Sequence, residues 1–421
     1  MVYRYISKCL SCNRNFVFRI TVGSSRNNKF RFNCPYCNLE IHGELFLNFR
    51  NNDGSTNSIE KSVPEIHLTN ADLHQRFDKN EKYKYVTIFT DLPILFNKHI
   101  ADTESALMTP TFQAMFELKN NAVTVIQGLN RFNELSENDF YLIKNAYLQY
   151  KNNDLERAKE ILDKITYELP YDVSRIPSIC SRCYQIYFSG LLGCWSKLNE
   201  HINLFEEVAK KHCKKIFDVP KQIQEFNIIE FLINEFFDLA NQIFDCKEIL
   251  SVARYLDFID LDKSPRHFIA LDYPDKFFNL YEQLCEYAHN LIKIEIGYIN
   301  ICQRGNIDLF KDSKFSNYKK YFNNAKLFDS LDLINEIKSL GDNLNYAIDR
   351  AVRNGIAHKK IAFSNDGQEI IVRRGNNVQN VKFDLILKKT IELCRICISG
   401  FGIITDQKRM IADEYWNKKN I

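Results

Sequence analysis

Apolar residues recur at three- and four-residue intervals along most of this chain, and a few short stretches alternate instead. From Phe277 to Cys302, the residues Leu280, Leu284, Tyr287, Leu291 and Ile294 fall on one stripe, which predicts a long amphipathic helix. Glu286 and His289 lie on its other faces, within reach of the candidate site at Tyr346–His358, although their residue types read first as solvated side chains. A later helical pattern carries Leu344, Ile348 and Val352 at every fourth position, and another runs from Ile386 to Ile398. Residues 221–260 are helical and acidic-apolar, a core or interface segment. Between 138 and 170, Leu142, Ala146, Ala158, Leu162, Ile165 and Pro170 are spaced like one tetratricopeptide-like helix pair. One pair cannot bury a solenoid face, so the region reads as a helical hairpin, a type that more often recognises proteins than catalyses.

The alternating stretches predict strands. Phe16-Val-Phe-Arg-Ile20 and Phe30-Arg-Phe32 do so near the start, and Lys359 to Arg374 reads as a β-hairpin around an Asn-Asp-Gly turn. Asn51 to Ser62 is turn chemistry without periodicity, hence a linker. Residues 63–130, with Pro93 and Pro110, read as a mixed or mostly helical connector. The expected fold class is mostly α. Its expected parts are a small β domain over 1–50, a linker over 51–62, a mostly helical middle over 63–264 and a helical bundle with a hairpin over 265–421.

Composition narrows this picture. The chain of 421 residues is 45% hydrophobic and 26% charged, ordinary for a globular protein with a core. It holds no run of eighteen apolar residues and no leader pattern, so the expectation is a cytoplasmic protein without a membrane span. Net charge is only +3, which leaves any attraction to nucleic acid to a local patch. Such an excess lies in the first fifty residues, where Arg4, Lys8, Arg14, Arg19, Arg26, Lys29, Arg31 and Arg50 face only Glu40 and Glu44.

The same segment carries Cys9-Leu-Ser-Cys12 and Cys34-Pro-Tyr-Cys37. Two-residue gaps let both thiolates of each pair reach one tetrahedral ion, so Cys9, Cys12, Cys34 and Cys37 are expected to bind zinc in a ribbon. Four cysteines leave no open position for water, which makes the ion structural. The ribbon's charge and its aromatics Phe30 and Phe32 suit nucleic acid, while docking on another domain or a protein suits it equally well. His42 reads as a surface residue, and the further pairs Cys180/Cys183 and Cys394/Cys397 as small core residues rather than a second metal site.

The remaining chemistry is in Tyr346–His358. On a helix, Arg350, Arg353, Asn354, Ala357 and His358 share one face, opposite Leu344, Ile348 and Val352. A guanidinium and an imidazole aimed at one space suit phosphodiester cleavage, which needs proton transfer near neutral pH and stabilisation of charge on phosphate oxygens. Asn354 can hold the imidazole or bind a ribose hydroxyl, and RNA supplies its own nucleophile, so catalysis needs no metal. The pattern Arg353-Asn-x-x-x-His358, between a long helix and a hairpin followed by a last helix, resembles the HEPN superfamily of helical ribonucleases over roughly residues 265–412. That resemblance implies an endoribonuclease site where two subunits meet, with Arg353 and His358 as the catalytic pair and Asn354 as the polar third. Arg350, Lys359 and Lys360 are expected to grip the RNA backbone, with Arg373 and Arg374 across the hairpin. Gly355 inside the motif is expected to loosen its last turn.

The expected function is therefore metal-independent RNA cleavage by a homodimer, held inactive until a trigger protein or nucleic acid reaches the ribbon or the middle region. The family's frequent place in toxin and anti-phage (abortive infection) systems suggests the role. The alternative is a non-catalytic RNA- or protein-binding dimer acting as an adaptor. A nucleotide-modifying enzyme would need paired carboxylates or a glycine-rich phosphate cradle, and neither occurs at usable spacing.

Overall fold

A computed structural model describes residues 2–21, 27–46, 65–76, 83–89, 94–96, 137–165, 176–192, 200, 203, 223, 227–250, 267–269, 274–311, 314–336, 338–364, 369–374 and 377–419. It is mostly helical with small sheets. Contacts divide the chain into two compact units. The first joins Met1–Asn120 with Tyr255–Asp275 and Ala362–Leu385, and the second joins Asn121–Arg254 with Lys276–Ile361 and Ile386–Ile421. The expected boundaries at 50, 62 and 264 do not coincide with this division. The linker at 51–62 lies outside the described residues.

In the first unit, β1 (Val2–Cys9) and β2 (Asn15–Thr21) form a hairpin. So do β3 (Asn27–Asn33) and β4 (Glu40–Phe46). Three strands from the stretch read as a helical or mixed connector join them. β5 (Glu65–Leu68) pairs with β4, β6 (Ala71–Arg76) pairs with β1, and β7 (Tyr85–Phe89) lies parallel to β2. The Thr69–Asn70 turn thus ties two sheets together, with Asn70 left-handed at φ 64° and its carboxamide donating to the Glu40 carbonyl at 3.1 Å. β5 alternates, but over only two apolar residues, Ile66 and Leu68, too few to register as a period. The core here is small: Phe16, Phe18, Phe32, Ile41, Leu45 and Ala71, with Cys9 and Cys34 among them. Phe32 is stacked on Phe18 at 5.2 Å and is 3% exposed, so it belongs to the core and is not open to a nucleic-acid base.

β8 (Ile94–Phe96) pairs with β9 (His267–Ile269). The expected hairpin is present as β10 (Ile361–Phe363) and β11 (Glu369–Arg374), its turn lying outside the described residues. A third strand that the sequence reading did not include, β12 (Asn377–Lys382), pairs with β11.

The second unit is helical. α1 (Glu137–Lys151) and α2 (Leu155–Leu162) are the expected helix pair, and Asp154 caps α2 by accepting the Arg157 N–H. α3 (Ile176–Leu192), α4 (Ile228–Asp245) and the short α5 (Lys247–Leu250) follow. Then come α6 (Pro274–Arg304), α7 (Tyr318–Asn324), α8 (Leu327–Ile334), α9 (Lys338–Ala347), α10 (Arg350–Ala357) and α11 (Phe383–Lys419). The core is aromatic: Phe236 stacks on Phe401 at 3.8 Å, and Tyr184 meets both edge-on. The predicted α6 stripe is buried, and from Leu291 to Ile301 so is every residue. That wrapping takes Lys293, Glu295 and Asn300 inside. The Asn300 carboxamide is satisfied by the Ile307 carbonyl at 2.9 Å and the Arg304 guanidinium at 3.1 Å, and the Lys293 ammonium lies 5.0 Å from the Phe322 ring centre. No helix among the described residues is long and apolar enough to cross a membrane.

Candidate functional site

The motif helix α10 starts at a break. α9 ends at Ala347, Ile348 and Asp349 are not helical, and the Tyr281 hydroxyl of α6 fills the gap. It donates to the Ala347 carbonyl at 3.2 Å and accepts the Asp349 N–H at 2.7 Å, satisfying backbone groups that the break would otherwise leave bare. Asp349 then caps α10, accepting the Ala351 and Val352 N–H groups at 3.0 and 3.1 Å. Its other oxygen meets the Lys389 ammonium of α11 at 2.8 Å. Burial works to raise this carboxyl, but Lys389 and the two N–H groups outweigh it and hold it below the usual carboxylate range. The four-residue spacing of Leu344, Ile348 and Val352 hides the break because all three stay buried across it. Asp349 before the motif was its one sequence signal.

α10 divides cleanly. Ala351, Val352, Gly355 and Ile356 are buried, while Arg350, Ala357 and His358 are exposed and Arg353 and Asn354 half-buried. Gly355 faces the core and the helix runs on to Ala357, so the turn is not loosened there. The end is fixed instead by a Schellman motif, in which Lys359 N–H bonds the Ile356 carbonyl at 2.9 Å and Lys360 N–H the Gly355 carbonyl at 2.8 Å. Lys359 sits at φ 53°, the left-handed position that glycine fills without strain. Lys359→Gly is expected to stabilise the unit by about 1 kcal/mol in urea unfolding, and Lys359→Ala to leave it near the wild-type value.

The predicted side chains are placed as follows. Arg350 pairs with Asp332 at 3.0 Å and lies over the Phe328 ring at 4.6 Å. Arg353 turns toward α6, where its Nη2 donates to Glu286 Oε1 at 2.5 Å, and its Nε is buried without an acceptor among the described residues. The side chains of Asn354 and His358 make no hydrogen bond among the described residues, to each other included; only the backbone joins them, His358 N–H to the Asn354 carbonyl at 3.1 Å. Nor does any hydrogen bond join Arg353 to His358. Lys359 and Lys360 are exposed. Arg373 and Arg374 belong to the other unit.

Behind Arg353 lies a polar group that the sequence reading left in solvent. Glu286, His289, Asn290 and Lys293 recur at i, i+3, i+4 and i+7 along α6, one face of that helix. His289 is 7% exposed, and its Nε2 lies 3.1 Å from Ser330 Oγ, which also accepts the Tyr321 hydroxyl at 2.9 Å. Ser330 Oγ can accept from the imidazole as well as from Tyr321, or donate to Nε2, so the pair holds the ring in either neutral tautomer. Burial, with Lys293 and Arg353 nearby, pushes His289 down to about 3 and keeps it neutral. Burial also raises Glu235 of α4, with the Glu286 and Asp238 charges adding to it, despite the Asn290 amide at 3.4 Å. The spacing Glu286-x-x-His289 was legible, but not that the opposite helices close over it.

The second constellation is Cys9, Cys12, Cys34 and Cys37, whose sulfurs all lie within 4.8 Å of one another and could hold a metal ion. Cys9 and Cys37 are 3.7 Å apart and Cys12 and Cys34 3.8 Å, too far for disulfides. A tetrahedral ion with metal–sulfur bonds of about 2.3 Å needs its thiolates about 3.8 Å apart, so the donors fit. Each pair is built on the same turn. The residue after its second cysteine is an asparagine in the left-handed region, Asn13 at φ 58° and Asn38 at φ 64°, and its N–H returns to the first cysteine's carbonyl at 3.0 Å. The repeated Cys-x-x-Cys-Asn is the sequence signal of this turn. Burial pushes the Cys34 thiol up to about 12, whereas the Leu39 N–H brings exposed Cys37 down to about 7. His42 stands apart, paired with Glu40 at 3.0 Å. Cys180, Cys183, Cys394 and Cys397 are buried separately, the Cys180 thiol on the Ile143 carbonyl and the Cys397 thiol on the Leu284 carbonyl, and among the described residues they form no metal group. Comparison with protein-family models, curated proteins and solved structures finds no match to this chain.

Proposed function

We propose that the helical unit is a metal-independent endoribonuclease of HEPN type, active as a homodimer, and that the four cysteines hold a structural zinc. The observation that carries this is the outward face of α10, where the His358 side chain is exposed and makes no hydrogen bond among the described residues, one turn past the half-buried Arg353 and Asn354. In this reading a second copy faces the first across α10, and a single-stranded RNA lies between them. His358 takes the 2′-OH proton as the oxygen attacks phosphorus, and the partner's equivalent imidazole protonates the departing 5′ oxygen, leaving a 2′,3′-cyclic phosphate. Arg353 stabilises the charge gathering on the phosphate oxygens, Asn354 orients the ribose, and Arg350, Lys359 and Lys360 grip the strand. Such an enzyme acts in the cytoplasm, held inactive until triggered, as a toxin or anti-phage effector; the free cysteines suit a reducing compartment.

One observation favours the second reading, a non-catalytic RNA- or protein-binding dimer. Glu286 already meets the Arg353 guanidinium at 2.5 Å and offsets the charge that catalysis would use. The two readings separate on RNA incubated in magnesium-free buffer with chelator. Cleavage with cyclic phosphate ends, lowered at least about a hundredfold by His358→Ala, is the expected result. Growth arrest by the wild type but not by His358→Ala extends the comparison to a protein that needs its cellular trigger. Intact RNA together with equal growth of both strains returns the unit to the binding class.

A further inference from the structure

At the cysteine end of the β unit, one ring holds two cations. The Arg14 guanidinium, just after the first cysteine turn, lies 5.3 Å from the centre of the Tyr36 ring, and the Lys84 ammonium lies 4.9 Å from it. Tyr36 itself sits between Cys34 and Cys37, so the metal-site turn fixes the ring. Lys84 is fixed three times more. Its N–H donates to the Tyr36 hydroxyl at 3.3 Å, its ammonium to the Pro35 carbonyl at 3.1 Å, and its own carbonyl accepts the Val17 N–H at 2.8 Å where β7 joins β2.

Arg14 and Lys84 are exposed, and neither has a carboxylate partner among the described residues. Glu40 pairs with His42 at 3.0 Å, and Asp72, in register with Lys8 on β1, makes no ion pair with Arg14 or Lys84. Two like charges held beside one ring repel, and the arrangement is relieved by an anion that spans both. Leu10 of the first cysteine turn is 55% exposed, so an apolar surface accompanies the charges.

We propose that this end of the ribbon binds the phosphate backbone of single-stranded RNA, with Arg14 and Lys84 on phosphates and Tyr36 as the post that spaces them. A strand that alternates phosphate with base suits fixed cations next to Tyr36 and Leu10 better than a lone phosphate does. The excess of eight basic over two acidic residues in the first fifty draws such a strand in. This site is separate from α10 and does not rest on the nuclease reading.

The test uses the full chain carrying His358→Ala, so that the RNA probe survives, and follows the anisotropy of a labelled 20-nucleotide single-stranded RNA against salt. Arg14→Ala with Lys84→Ala is expected to weaken binding about tenfold and to flatten the log–log salt slope by about 1.4, about 0.7 per lost phosphate contact on a single strand. Tyr36→Leu keeps both charges but removes the post, and is expected to lose affinity with the slope nearly unchanged. The swap Arg14→Lys with Lys84→Arg is expected to keep most of the binding, and this separates charge from misfolding. Equal affinity and slope in wild type and the double alanine variant would overturn the assignment. So would the absence of binding at 50 mM salt, or displacement of the RNA by an equal concentration of polyglutamate, which would make the partner an acidic protein segment.

Discussion

Cys34→Ser is expected to strip bound metal from the chain and melt the β unit while the helical unit stays folded. Among the described residues, the fully buried apolar cluster of these sheets holds six side chains besides Cys9 and Cys34, with Tyr5, Cys12, Tyr36, Leu39, Ile66, Leu68 and Val86 partly buried against it, and those two thiols are themselves 0% and 2% exposed. A core of that size does not stabilise several short strands, and a structural four-cysteine ion contributes on the order of 10 kcal/mol of apparent folding free energy. Burial pushes the Cys34 thiol up to about 12, so without a cation it stays protonated and the site does not close as an anion. Elemental analysis of the wild type should give one zinc per chain. Calorimetry should show a transition that both chelator and Cys34→Ser remove, with the helical signal in circular dichroism retained. A wild type that purifies without metal, or a variant that keeps the transition, sinks the prediction.

The cysteine site was legible because its chemistry is local: two-residue gaps can serve one ion whatever the rest of the chain does. What lay around it was not local. β5 pairs with a strand about twenty residues earlier and β6 and β7 with strands sixty to seventy residues earlier, and their own periods are too short to announce them. The same contrast runs through the helical unit. The α6 stripe, the helix pair at α1 and α2, and the β10–β11 hairpin followed from periodicity and turn residues. Periodicity also misled where it was unbroken, since Leu344, Ile348 and Val352 keep their spacing through a helix break that Tyr281, a residue sixty-odd positions away, makes tolerable.

At the motif, the sequence placed Arg353, Asn354 and His358 on one face of a helix; His358 is exposed there, while Arg353 and Asn354 are half-buried and Arg353 turns toward α6. It could not show what Arg353 would meet. The face of α6 that carries Glu286, His289 and Lys293 reads as solvated by its residue types, yet Glu286 takes the guanidinium and His289 is enclosed. Residue type gives a polar face to solvent by default. Only the packing of α8 and α10 reverses it.

Glu295→Gln is expected to raise the stability of the helical unit by about 4 kcal/mol at pH 8 and by only about 1 kcal/mol at pH 5. Glu295 lies in the stretch of α6 that is buried on every side, is 5% exposed, and has no hydrogen bond or ion pair among the described residues. Burial alone raises it from 4.5 to about 8. The folded state therefore holds a proton that the unfolded chain has given up throughout that window, and stability must fall as pH rises across it. Below 4.5 both states carry the proton and the carboxyl costs nothing. Above 8 both have lost it and the penalty is at its full size. Glutamine keeps the shape and cannot ionise, so its own cost of burial is the same at both pH values and cancels in the difference between them. Urea unfolding of both proteins at pH 5 and pH 8 reads that difference directly, and an offset that is the same at the two pH values would show that Glu295 is solvated or paired rather than enclosed.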